Sequence, residues 1–352
     1  MAPAADSTGA NSAEGMHLLV VGCGSVGRRH LGNLARLGAR LSAVDARADR
    51  LAEASDLLAG LQGVPGLQKF SRLDLALEAD DLDGVLICTP PHLHIGMAQR
   101  VAERGLNQLL EKPLAQNIEG VDHLMATLKS RGVWAMVGYS MRFHPGVLEV
   151  KKVVESGVLG RVLGVRAEVG QYLPDWHPDE DYRRWYMSHE SQGGGALLDL
   201  SHEIDYLRWL LGEVAEVSAA VTHVSDLDLD TDDLSELILR FENGVIGNVH
   251  VDLVQRQYRR HCSIVGTNGT ALWDYSTGTV ELRMADSALD EIRNYEDARN
   301  DQFVDQLSHY LACLRGEATA LVDVADAAKT LAVVLAAKRS SAERRWVKLS
   351  RR

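Results

Sequence analysis

The chain has 352 residues, enough for two hydrophobic cores, and its 49 Asp and Glu against 37 Lys and Arg give a formal net charge of −12 at pH 7. That acidity disfavours nucleic acid or an anionic membrane as partner. Apolar stretches such as 331–337 fall far short of the roughly 20 residues that span a bilayer. The four cysteines, Cys23, Cys88, Cys262 and Cys313, lack Cys-x-x-Cys spacing. Neither a metal site nor a disulfide framework is expected from them, each reads as a small buried side chain, and a reducing cytoplasm is the natural setting.

Residues 1–15 contain no Lys or Arg and no apolar run, which reads as a disordered tail and not as a signal peptide. From 16 to 139, apolar runs alternate with helical patterns: strands at 17–21, 41–44, 84–88, 107–111 and 133–138, with helices from Ser25, from about His92 and from Asn117. Such alternation predicts a doubly wound parallel sheet, an α/β Rossmann domain whose ligands bind beyond the strand carboxyl ends. Beyond 139 the pattern changes to strands near 161–170, 214–222, 234–240, 245–251, 261–266 and 279–282. Glu242-Asn243-Gly244 and Thr267-Asn268-Gly269 offer residues that tolerate positive φ in tight hairpins. An α+β domain with a mainly antiparallel sheet is expected over 140–352, interrupted by one helix at about 196–211. A C-terminal helical segment from Asp301 is free to pack back on the first domain.

The glycine loop VVGCGSVGRRH follows the first strand and opens a helix, the context that gives Gly-x-Gly-x-x-Gly its meaning. Gly22 permits the tight turn, Gly24 lets the backbone approach a pyrophosphate, and Gly27 allows helix and sheet to pack closely. Ser25 and Val26 open the helix, whose N-terminus favours an anion. Asp45 lies 45 − 27 = 18 residues past the last glycine, placed to accept hydrogen bonds from both adenosine ribose hydroxyls. NAD is therefore expected over NADP, although Arg47 is near enough to soften repulsion of a 2′-phosphate. The plain alternative for Asp45 is an exposed helix cap.

Three further segments carry chemistry: CTPPHLH at 88–94, LLEKPLAQN at 109–117 and GGGALLDLSHEIDYLRWLLG at 193–212. Asp199 and His202, three apart on the expected helix, share a face with Asp205 and Tyr206, while Leu200, Ile204, Leu207 and Leu211 form the opposite, buried stripe. A titratable ridge of this kind suits proton relay. Together with the glycine loop, VGYSMRFHPG at 137–146 and DQFVDQLSHYLACLRGEA near the C-terminus, these segments resemble the Gfo/Idh/MocA oxidoreductases, the group of glucose-fructose oxidoreductase and inositol dehydrogenases. The resemblance implies a Rossmann domain followed by an open, largely antiparallel sheet that forms the substrate wall and often an oligomer interface, hence a homodimer or homotetramer.

By that resemblance Lys112, in Glu111-Lys112-Pro113, is the proton donor and acceptor at the carbinol carbon, with a cis peptide bond before Pro113. Chemistry supports the role: removing hydride from a secondary alcohol leaves a carbonyl only if the hydroxyl proton also departs to a base within reach. The alternative is an exposed lysine at a strand end. His202 is implied as a second proton-transfer group or hydroxyl ligand and Asp199 as an orienting group, although the commoner family spacing is four, so their division of labour stays open. Arg142 resembles the arginine near nicotinamide. Thr89, Pro90, His94 and Glu111 resemble residues lining the dinucleotide, with capping or packing the alternative for His94. The segment 172–192, including Tyr182 and Arg183, is dense in aromatic and guanidinium groups that suit sugar rings and phosphates. It is read as a substrate wall, with a lid or dimer-contact loop as the alternative.

The expected function is thus NAD-dependent hydride transfer to or from a secondary hydroxyl or keto group of a sugar-like substrate, a nucleotide-activated sugar among the candidates. Alternatives are a cyclitol dehydrogenase, an NAD-dependent glycoside hydrolase that returns its cofactor unchanged, and a dinucleotide-binding regulator. Retention of the Lys112, Asp199 and His202 set speaks against the last.

Overall fold

The computed structural model describes residues 12–62, 64, 66–79, 81–295 and 300–350. Residues 1–11 of the expected tail lie outside the described residues. In its remainder Ala13 is packed: its amide donates to the Leu37 carbonyl (2.7 Å) and its side chain joins the core. Two compact units form, one from residues up to 115 with 119–138 and 303–326, the other from 116–118, 139–302 and 327 onward.

In the first unit the strands are β1 (His17–Val21), β2 (Arg40–Val44), β3 (Gln68–Phe70), β4 (Gly84–Ile87), β5 (Gln108–Glu111) and β6 (Ala135–Gly138). The helices are α1 (Ser25–Arg36), α2 (Ala48–Ala59), α3 (Leu73–Leu77), α4 (Pro91–Glu103) and α5 (Val121–Arg131). All strands pair in parallel, in the order β3-β2-β1-β4-β5-β6. β1, β4, β5 and β6 are buried throughout, which is why their sequences are apolar runs without alternation. Winding runs outward from β1 to β2 and β3, then reverses to β4, β5 and β6, so a crevice opens beyond the carboxyl ends of β1 and β4. Unexpected from sequence was β3, a short polar edge strand.

The second unit contains α6 (Pro145–Glu155), β7 (Val162–Gly170), α7 (Ala196–Asp199), α8 (His202–Leu211), β8 (Val214–Thr222), β9 (Leu234–Phe241), β10 (Ile246–Asp252), β11 (Arg259–Gly266), β12 (Gly269–Asp274), β13 (Thr279–Met284) and β14 (Glu291–Asn294). Further on come α9 (Asp301–Leu314), which lies mostly in the first unit, α10 (Val324–Glu343) and β15 (Val347–Lys348). The sheet order is β14-β13-β12-β11-β7-β10-β9-β8-β15, antiparallel except for the central β7–β10 pair. Alternation is clean in β9, where Ser235, Leu237, Leu239 and Phe241 point into the core.

Two expectations are corrected here. The single helix at 196–211 is two, because Leu200 leaves helical geometry (ψ 23°) and Ser201, its hydroxyl engaged with Tyr139, stands between α7 and α8. In Thr267-Asn268-Gly269 no residue has positive φ. Gly269 is needed there for close approach, since a Cβ would meet the Arg283 carbonyl at 2.8 Å. Gly244, by contrast, takes the left-handed φ of 86° that its turn was expected to need.

Candidate active site

The glycine loop behaves as steric logic requires. Gly22 has φ 94°, and a Cβ on it would lie 2.7 Å from the Cys88 carbonyl oxygen; one on Gly27 would collide with the Gly22 carbonyl. Gly24 faces open space, its nearest neighbour being Arg50 Nη1 at 3.9 Å, and no side chain caps α1. An uncapped helix start beside an empty Cβ position is a cradle for a pyrophosphate. Asp45 sits at the end of β2, with one carboxylate oxygen accepting from the Cys23 amide (2.8 Å) and the other from the Arg47 amide (2.9 Å). Each oxygen retains a lone pair for a ribose hydroxyl. These features fit a dinucleotide. Arg47 is exposed and paired with Asp49. Burial, aided by Asp45, pushes the Cys23 thiol up to about 12, so it stays protonated and offers no nucleophile.

Lys112 follows β5 in a turn with a cis Lys112–Pro113 bond. Glu111 has both carboxylate oxygens engaged: Oε1 meets His30 Nε2 of α1 at 2.7 Å, and Oε2 accepts from the Lys112 amide at 3.3 Å. A Cβ on Gly138 would sit 3.1 Å from that carboxylate, so β6 ends in glycine where Glu111 needs room. His94 is fully buried, with Nε2 on the Thr89 carbonyl (2.8 Å) and Nδ1 on the Pro113 carbonyl (2.9 Å). Thr89 turns its hydroxyl towards Met97 Sδ (3.6 Å), and Pro90 is the N-cap of α4.

In the second unit Asp199 closes α7 and His202 opens α8, both buried. The Tyr186 hydroxyl donates to Asp199 Oδ1, and the His202 ring meets the Tyr139 ring edge-on, centroids 5.6 Å apart. Tyr139 shares a hydrogen bond with Ser201 (3.3 Å), and burial raises its phenol well above the ordinary range. The start of α7 is fixed by Asp232, whose side chain accepts from the Leu197 amide (2.7 Å) and whose carbonyl accepts from the Ala196 amide (2.8 Å). Gly194 lies so close to the carbonyls of Tyr186 and Met187 that a Cβ would strike both. Gly194 therefore lets segment 186–187 lie against the start of α7.

The expected ridge is revised. Asp205 and Tyr206 are fully buried, and Asp205 forms a bidentate pair with Arg142, both bonds 2.8 Å. Arg142 is only 4% exposed, and its fork anchors α8 to the 140–143 turn. Tyr182 accepts from the Asp228 amide through its hydroxyl (3.0 Å), and Arg183 pairs with Asp181. Sequence reasoning missed His30, which meets Glu111, Tyr186, which meets Asp199, and Asp232, which holds the Ala196 and Leu197 amides at the start of α7.

Residues 16–139 match the oxidoreductase family's NAD-binding Rossmann fold, and residues 151–349 match its C-terminal alpha/beta domain. The chain belongs to the Gfo/Idh/MocA oxidoreductase family. This Gfo/Idh/MocA member is an NAD-dependent oxidoreductase. It is 31% identical over 225 residues to levoglucosan dehydrogenase of Pseudarthrobacter phenanthrenivorans, a match spanning 56% of this chain and 57% of that protein. Myo-inositol 2-dehydrogenase of Thermotoga maritima is 26% identical over 348 residues, 95% of this chain and 98% of that protein. Among solved structures, levoglucosan dehydrogenase in complex with NADH superposes with a TM-score of 0.84 at 23% identity, covering 96% of this chain and 100% of the other. The WlbA dehydrogenase from Bordetella pertussis, in complex with NADH and UDP-GlcNAcA, gives 0.78 at 24% identity, covering 96% and 99%. These likenesses establish the fold of this Gfo/Idh/MocA chain.

Proposed function

We propose that this oxidoreductase acts on a secondary hydroxyl or keto group of a sugar-like substrate, with Lys112 exchanging the proton of that oxygen. The observation that carries the reading is the setting of Lys112: it stands at the carboxyl end of β5, in a turn gripped through Glu111 by His30 and through Pro113 by His94. Bound NAD supplies or accepts the hydride. Lys112 holds or releases the proton, and Asp199 and His202 orient the substrate or share in proton transfer. Cofactor contacts are assigned to Gly22, Gly24, Ser25, Val26, Gly27, Asp45, Thr89 and Pro90.

A nucleotide-activated sugar is the substrate class we favour, because segment 172–192 carries Tyr172, Trp176, Tyr182 and Trp185 beside Arg183 and Arg184, and a structural neighbour was solved with UDP-GlcNAcA. The second reading is a cyclitol, favoured by the nearly full-length match to an inositol dehydrogenase. Following absorbance at 340 nm with nucleotide sugars, free sugars including levoglucosan, and inositols, in both directions and with both cofactors, decides between them. Efficient turnover of inositols with none of any nucleotide sugar would overturn the first choice. We also infer a homodimer or homotetramer through the outer face of the second sheet, where Ile238, Ile246 and Val265 are exposed. A monomer by light scattering would overturn that. The cysteines are free, in keeping with a cytoplasmic setting.

A further inference from the structure

Two buried histidines flank the turn that carries Lys112, and each comes from a helix that begins at a loop assigned to the cofactor. His30 lies on α1, behind the glycine loop, and reaches the turn through Glu111. His94 lies on α4, behind Thr89 and Pro90, and touches both sides directly: the Thr89 carbonyl at 2.8 Å and the Pro113 carbonyl at 2.9 Å. Its two partners only accept hydrogen bonds. A ring with one N–H donates to one of them, and a ring with two donates to both. Burial holds the imidazole below its ordinary value, opposed by those two carbonyls and by the Glu111 carboxylate.

We propose that His94 is the positioning residue for Lys112, tying the Lys112–Pro113 turn to the Thr89–Pro90 loop so that the lysine is presented from one fixed backbone. Held neutral by burial, the ring donates to one of the Thr89 and Pro113 carbonyls and packs against the other, and by filling the space between the two loops it limits how far either can shift. The importance of the lysine rests on the proton-transfer reading given above, but its placement by His94 does not.

The test therefore reads the lysine itself. Full-length protein, His94→Ala and His94→Asn are labelled with trace acetic anhydride across a pH series, with and without NADH. Acetylation of Lys112 is measured by mass spectrometry against the exposed Lys69, Lys129 and Lys348 of the same sample. In His94→Ala the Lys112 rate at fixed pH is expected to change by about threefold or more while the exposed lysines do not change. In His94→Asn, whose amide still donates to one carbonyl, the change is expected to be smaller. Identical Lys112 labelling in all three proteins overturns the proposal. So does a change shared by the exposed lysines, which marks general loosening. Turnover by Lys112→Ala tests the proton-transfer reading separately: an active variant defeats that reading while a shifted Lys112 profile still upholds the role of His94.

Discussion

Asp45 fastens the glycine loop through the Cys23 amide, and in the proposed cofactor site its remaining lone pairs would serve the ribose hydroxyls. Charge-assisted hydrogen bonds contribute about 1.5–3 kcal/mol each, so Asp45→Ala is expected to weaken NAD binding about tenfold or more. NADP should suffer less, since its 2′-phosphate is relieved of a like charge. Titration of both cofactors measures this, and an unchanged preference would remove Asp45 from the ribose. At Lys112 the expectation is different. Lys112→Ala keeps every backbone element of the cofactor cradle, so NADH should bind nearly as well while turnover falls by about two orders of magnitude or more. Near-normal turnover would refute the proton-transfer role.

Among the elements, α7 is the one whose placement is most tightly prescribed. Gly195 has φ 106° and ψ 153°, a conformation open essentially to glycine alone, and a Cβ there would strike the Asp232 carboxylate that holds the Leu197 amide. Gly212, which ends α8, has a similar backbone (φ 95°, ψ −170°) but nothing within 4 Å of its Cβ position. Gly212→Ala should lose about 1–3 kcal/mol from backbone strain alone. Gly195→Ala should lose clearly more, and equal urea midpoints for the two variants would contradict this account of α7. What the sequence made legible follows the same division. Glycine positions and buried apolar runs are dictated locally, so the glycine loop, β1 and β8 to β11 could be read directly. Short edge strands such as β14 and β15 carry charged residues that blunt pairing and so lack strand texture. The partners His30, Tyr186 and Asp232 meet Glu111, Asp199 and Leu197 only through tertiary contact, which no local pattern records.

At the scale of the whole molecule, acid should act through His144. This N-cap of α6 accepts from the Gly146 amide (3.1 Å) among Trp273, Tyr275 and Tyr295, and burial, with Arg260, lowers its imidazole to about 3. Between that value and the ordinary 6.5 the unfolded chain binds the extra proton. The stabilisation is therefore complete above about pH 6.5 and is lost as pH falls through about 3, with a slope of at most about 1.4 kcal/mol per pH unit. His144→Asn keeps a capping acceptor without the titration, so its stability should depend less on pH over this window; a parallel pH dependence would exclude His144 as a source. A last consequence concerns the order in which the chain is made. Tyr310 of α9 is fully buried in the first unit, its hydroxyl bonded to the Val85 and Asn107 carbonyls (both 3.3 Å), with Leu307 and Leu311 in the same core. A ribosome that has released residues 16–139 has thus released an unfinished cofactor domain. Its core stays open through synthesis of the entire second unit and is sealed only when 303–326 emerge, so cutting the chain after residue 139 would leave an apolar gap over β4 and β5 in place of a separable NAD-binding module.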